Sequence, residues 1–184
     1  MKQLNFLESG NFTGIDSIVL QKAKELEERA RESGKSIFLE ICKYIHTLPY
    51  NPEKFIEFRK RDASEIIESG YHADCTDLAL VDLVLLRALD YPAMYVESIS
   101  NEWLADKSEQ ILGHVFSKVL VNGNWRLRDP FLGFRPGDQY KIKGKLYTPI
   151  AYGLDFSELY TLNDQKVSIY TVEEGRRLIE ALNM

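Results

Sequence analysis

The run CTDLALVDLVLLRAL, from Cys75 to Leu89, constrains the fold more than any other stretch of the chain. Leu78, Val81, Leu85 and Leu89 recur at helical spacing, and Leu80, Val84, Leu86 and Ala88 widen the apolar surface beyond one stripe. A helix apolar around so much of its circumference is expected to be buried on most sides, so other elements must enclose it. Asp74 and Asp77 stand at its start, where a side-chain oxygen can cap orphan amides and the helix dipole favours acid. Its first turn carries Cys75.

What encloses it changes character along the chain. The first half reads as helices. Asp16 is an N-cap for SIVLQKAKELEERARES, and Gly34 stops that helix. Ile37, Ile41, Ile45 and Leu48 form a stripe on a second helix that starts near Ser36 and ends before Pro49; Cys42, near Phe38 and Ile45, reads as core. Residues 50–70 read as mostly helical, starting at Asn51-Pro52 and stopping at Gly70. The second half reads as strands. AMYVESIS follows Pro92, and GHVFSKVLV and NWRLRD flank Asn122-Gly123, a strong hairpin signal. Residues 133–170 show no clear period, and Thr171 and Glu174 form a capping box for a last helix over 171–183. The expectation is a single domain over residues 1–184 of α+β class, with N-terminal helices and the Cys75 helix packed on an antiparallel sheet.

The hairpin fixes a register. With Asn122 and Gly123 as the central turn residues, Val121 faces Asn124, Leu120 faces Trp125, Lys118 faces Leu127 and Phe116 faces Asp129. His114, Phe116, Leu120, Trp125, Leu127 and Asp129 then share one largely apolar face, which is expected to pack on the Cys75 helix. The other face carries Val115, Val119 and Val121 together with Ser117, Arg126 and Arg128. At the far end of the first face His114 and Asp129 are diagonal neighbours, with Cα atoms roughly 7–8 Å apart, within reach of an imidazole and a carboxylate. A one-residue slip would separate them.

A cysteine at a helix start, a histidine and a carboxylate can perform acyl transfer. The thiolate attacks an acyl carbon, the imidazolium protonates the leaving amine, and the carboxylate fixes the ring's tautomer. A helix N-terminus and an imidazolium both favour the anion, so a depressed thiol pKa is expected, and amides of the first turn are suited to an oxyanion. The plain alternatives are that Cys75 is a small buried hydrophobe, His114 a strand residue and Asp129 a turn residue ahead of Pro130. His72, three residues before Cys75, reads as cleft-lining, as a helper of the oxyanion, or as a solvent-facing residue. His72, Cys75, His114 and Asp129 could also be drawn as a zinc site, but the chain has no CxxC and no HExxH, so no metal or cofactor is expected. Asp74, Phe116 and Trp125 are further candidates to line the cleft.

The segments GYHADCTDLALVDLVLLRALDYPAMYVESI and GHVFSKVLVNGNWRLRDP resemble the core of the transglutaminase-like superfamily, over roughly residues 36–131. The shared parts are the Cys followed by an apolar helix, Leu85–Ala88 reading Leu-Leu-Arg-Ala, Pro92-Ala93 at a strand start, a His-x-aromatic strand, and Trp125 to Pro130 reading Trp-x-x-x-Asp-Pro. The resemblance implies a papain-like fold with Cys75 as nucleophile, His114 as acid/base and Asp129 as orienting carboxylate. The chain departs from the pattern at Ala73, where the family usually has glycine, at Asp90-Tyr91-Pro92, at Phe116 in place of tryptophan, and at Met94 in place of a common arginine.

Bulk properties leave room for this chemistry. The 184 residues carry a formal net charge of -5, which argues against a nucleic-acid partner. No stretch approaches 18 consecutive apolar residues, the N-terminal residues lack a secretory h-region, and the two cysteines are too few for a disulfide framework; no membrane partner and a cytoplasmic, reducing location are expected. The expected activity is thiol-dependent hydrolysis of a peptide or amide substrate through a thioester. The alternatives are transfer to an amine acceptor and a non-catalytic binding module of the same fold.

Overall fold

Asp16 opens the first helix as its spacing predicts: its carboxylate accepts from the amides of Ile18 and Val19, and the helix α1 runs Ser17–Ser33 to a left-handed Gly34 (φ 64°). A computed structural model describes residues 6–57, 59–105, 113–135, 140–142 and 144–157. Helix α2 spans Ile37–Thr47, α3 Ala63–Ser69, α4 Cys75–Ala88 and the short α5 Asn101–Ala105. The strands are β1 Ala93–Ser100, β2 Gly113–Val121, β3 Asn124–Asp129, β4 Gly133–Phe134, β5 Lys141–Ile142 and β6 Lys145–Gly153. They form one antiparallel sheet in the order β4-β3-β2-β1-β6-β5.

The α4 helix is as enclosed as its composition demands. Every residue from Thr76 to Arg87 is buried. Helices α1, α2 and α3 pack on it from one side and β1 and β2 from the other. Its last turn is anchored by Arg87, which donates to the carbonyls of Ala93 and Leu154 and to the Thr13 hydroxyl. The three acceptors lie on separate segments, so this one guanidinium draws β1 and both ends of the described chain onto the helix.

Two expectations need correction. Residues 50–70 do not form one helix. A 3-10 turn over Pro52–Glu57 is followed by a break in which Arg59 adopts a left-handed φ of 55°. A fresh helix then starts at Asp62, whose carboxylate accepts from the Glu65 amide in a reciprocal capping box. The break turns Arg59 onto Glu97 and Arg61 onto Asp77, giving each of these buried carboxylates a guanidinium partner.

The hairpin register is as predicted, from Ser117↔Arg128 through Leu120↔Trp125 to Val121↔Asn124, but the face against α4 is the opposite one. Val115 and Val119 join the core around α4, while Phe116 and Leu127 pack beyond the sheet with Val96, Met94, Tyr140, Ile142 and Tyr147. Ser117 and Arg128 look like solvent-facing residues in the sequence, yet both are buried because Asp82 of α4 accepts from each.

Part of the stretch from 133 onward is strand: β6 pairs with β1 across a register shift at Glu97/Ser98. The expected helix over 171–183, with its Thr171/Glu174 capping box, lies outside the described residues.

Candidate active site

The candidate residues come from three elements: the start of α4, β2 and β3. Asp74 is the N-cap: one carboxylate oxygen accepts from the amides of Thr76, at 2.5 Å, and Asp77, at 3.1 Å. Those two amides are therefore already used, which narrows the expected oxyanion donors at this helix start. Asp77 turns back and accepts from the Ala73 amide at 2.8 Å and from the Arg61 guanidinium, holding the loop that delivers Cys75. Arg61 also stacks over the Tyr71 ring.

His114 lies near the start of β2 and Asp129 ends β3. Their diagonal relation, read from the hairpin, closes into a contact: His114 Nε2 is 2.7 Å from Asp129 Oδ2. The carboxylate's other oxygen accepts from the amides of Phe131 and Leu132, so the turn after β3 fixes its orientation. With Nε2 facing the carboxylate, Nδ1 is the ring nitrogen left for proton exchange. The ring is held edge-on to Phe116, with centroids 4.8 Å apart, and lies 5.6 Å from the Tyr147 ring.

Cys75 is half-buried, and the backbone amide of Val115, the residue next to His114, is among the groups that favour its anion. Burial raises the Tyr147 phenol's pKa, and Cys75 adds a smaller push in the same direction. Val115 follows His114 in the chain, and the Tyr147 ring lies beside the imidazole. Beneath Cys75 lies a buried cluster in which Arg59 donates twice to Glu97, at 2.8 and 3.0 Å, and the Tyr95 hydroxyl donates to the same carboxylate.

These surroundings reverse the expected thiol pKa. Burial, then the negative charges of Asp74 and Glu97, push Cys75 up to about 12, against the weaker pull of Arg59 and the Val115 amide. Asp74 is itself pushed up to about 6, first by burial and then by Asp77, despite the amides it accepts.

The remaining candidates separate. His72 sits beside the site: its Nδ1 is 3.2 Å from the Asp74 carbonyl oxygen, its ring lies 5.5 Å from Tyr50, and burial lowers its pKa. Phe116 is fully buried and supports the imidazole from below. Trp125 stands at the turn end of β3, roughly 13 Å of strand from Asp129, packed edge-on against Phe6, and is not brought to the dyad. Cys42 is core, as expected. Arg59 and Glu97 carry little sequence signal; a glutamate inside an apolar strand is the one mark of the pair. Among the described residues no three His, Cys, Asp or Glu side chains converge as a metal-binding group, and no helix is long and apolar enough to cross a membrane.

The architecture has a counterpart among solved structures. A chain from Cytophaga hutchinsonii, described as a "Putative Cysteine Protease", superposes with a TM-score of 0.56 at 20% identity, covering 83% of this chain. The fold is cysteine-protease-like. The present chain spans 47% of that one, about half its length. No protein-family model and no curated protein matches.

Proposed function

We propose that the chain is a transglutaminase-like thiol enzyme that hydrolyses an amide or peptide bond, with Cys75 as nucleophile, His114 as acid/base and Asp129 as orienting carboxylate. The observation that carries the reading is the 2.7 Å contact between His114 and Asp129.

In the resting site the thiol keeps its proton, because burial and two carboxylates oppose the anion. Attack is therefore coupled to proton transfer from sulfur to His114 Nδ1. The new S–C bond forms as the carbonyl π bond opens, and the imidazolium is stabilised by Asp129. Collapse of the tetrahedral adduct breaks the C–N bond, and His114 returns the proton to the leaving amine. Water, deprotonated by the same ring, then cleaves the thioester and regenerates the thiol.

The test uses p-nitrophenyl acetate as acyl donor, acid quench and peptide mass spectrometry. The expected result is an acetyl adduct on Cys75 that His114→Ala reduces by roughly 10²–10⁴-fold, the range for a lost general base. An adduct confined to Cys42, or acylation of Cys75 indifferent to His114, overturns the assignment. Adding a primary amine during turnover reads whether the acyl group passes to water or to the amine.

A further inference from the structure

The sheet face that looks polar in the sequence carries a charge pair with a particular placement. Asp82 and Arg128 are both fully enclosed, at 0% and 1% exposure. Arg128 Nε donates to both Asp82 oxygens, at 2.8 and 3.1 Å; the Ser117 hydroxyl donates to Asp82 Oδ2 at 2.7 Å; and Arg128 Nη2 donates to the Phe38 carbonyl at 3.0 Å. One carboxylate thus holds α4, β2 and β3 together, and its partner adds α2.

Each member stands close in the chain to a residue of the proposed triad. Asp82 lies two helical turns beyond Cys75, roughly 10 Å along the α4 axis. Arg128 is adjacent to Asp129. Ser117 is three residues past His114 and directly opposite Arg128 in the ladder. The rung Ser117–Arg128 is therefore pinned to the helix that carries the sulfur.

Stability alone does not account for such a group. Removing two charges from water is costly, and well-packed apolar substitutes are often as stable or more so. What apolar side chains lack is direction. Sliding packing tolerates displacements that a carboxylate holding a guanidinium and a hydroxyl does not, and displacements near 1 Å are costly when a proton must pass between two atoms.

We propose that Asp82, Arg128 and Ser117 are positioning residues, a buried clamp that sets the Cys75 helix against the two strands bearing His114 and Asp129. The proposal rests on the triad reading above, and the test separates the two.

Cys75 alkylation by iodoacetamide is followed from pH 5 to 10 by mass spectrometry, and the His114 imidazole N–H resonance reports the bond to Asp129. The triad reading is checked first: wild type should alkylate at least tenfold faster than His114→Ala at pH 7. The clamp is then replaced as a unit by Asp82→Leu with Arg128→Met, which should fold, since the charges leave together. We expect this folded variant to lose at least tenfold of the His114-dependent rate and to shift or broaden the imidazole signal, with Arg128→Lys intermediate. If the double variant does not fold, Ser117→Ala removes one bond and should slow alkylation a few-fold. A folded double variant, or failing that a folded Ser117→Ala, with the wild-type rate, pH profile and imidazole signal overturns the clamp and leaves the triad standing. If wild type matches His114→Ala, the triad falls, and the imidazole signal alone then decides whether the clamp sets the His114–Asp129 geometry.

Discussion

The chain holds two cysteines, Cys42 and Cys75, and their surroundings differ. Cys42 and His46 sit one turn apart on α2, with Sγ 4.0 Å from Nε2. The two converge on a single backbone acceptor, the Phe131 carbonyl, at 3.1 Å from the thiol and 2.5 Å from the imidazole. Burial raises the Cys42 thiol's pKa. The His46 ring meets a neutral carbonyl there, and the Cys42 sulfur lies mid-helix, away from the dipole's positive end. Around Cys75 the imidazole meets a carboxylate whose second oxygen is held by two amides, and the sulfur stands at a helix start. Proximity of thiol and imidazole is common on a helix at i, i+4; an oriented carboxylate behind the ring is what distinguishes a site. The two sites also touch, since Phe131 supplies its carbonyl to the Cys42 pair and its amide to Asp129.

The widest break in this contrast comes from the sulfurs themselves. Cys75→Ala should abolish acylation by p-nitrophenyl acetate, while Cys42→Ala retains it within about twofold; the opposite result would move the nucleophile to α2. Next come the imidazoles. Asp129→Asn leaves the ring without its charge partner and should slow acylation by roughly 10²–10⁴-fold, the scale of acid–base assistance, whereas His46→Ala should change the rate little.

A subtler effect concerns Asp74. Asn retains N-cap capacity while removing a charge that opposes the thiolate, so Asp74→Asn should move the Cys75 alkylation profile to lower pH. The same variant tests linkage. Asp74's folded pKa of about 6 lies above the ordinary value of 3.8, so the folded state binds more protons between those values, and stability falls as pH rises through that window. Denaturant titrations from pH 3 to 7 should show that decline in the stability difference between wild type and Asp74→Asn. Smallest of all, Cys42→Ala removes one thiol donor and a little volume, and should cost about 1 kcal/mol by denaturant melts.

Much of this was legible from residue order, and the misses have physical causes. Asp16 and Gly34 delimit α1 to the residue, because caps and left-handed glycines are local signals. Asn122-Gly123 sets the β2–β3 register, and with it the meeting of His114 and Asp129, because a two-residue turn leaves one pairing. The face assignment failed at Ser117 and Arg128: their partner Asp82 is 35 and 46 residues away, and polarity reads as solvent unless the partner is known. The break at Arg59 failed for the same reason, since Glu97 is 38 residues distant. The thiol's pKa failed because a helix start lowers it while burial and nearby carboxylates raise it, and only the latter need coordinates to count.

By itself, then, the sequence determined the elements whose signals lie within a few residues: the capped helices, the buried helix that follows Cys75, the hairpin and its register. Tertiary structure decided which side of the sheet meets that helix, which charges are neutralised inside it, and what environment surrounds the sulfur. The reason is that burial and Coulomb energy depend on distance in space, and chain separation carries almost no information about that distance beyond a turn or two.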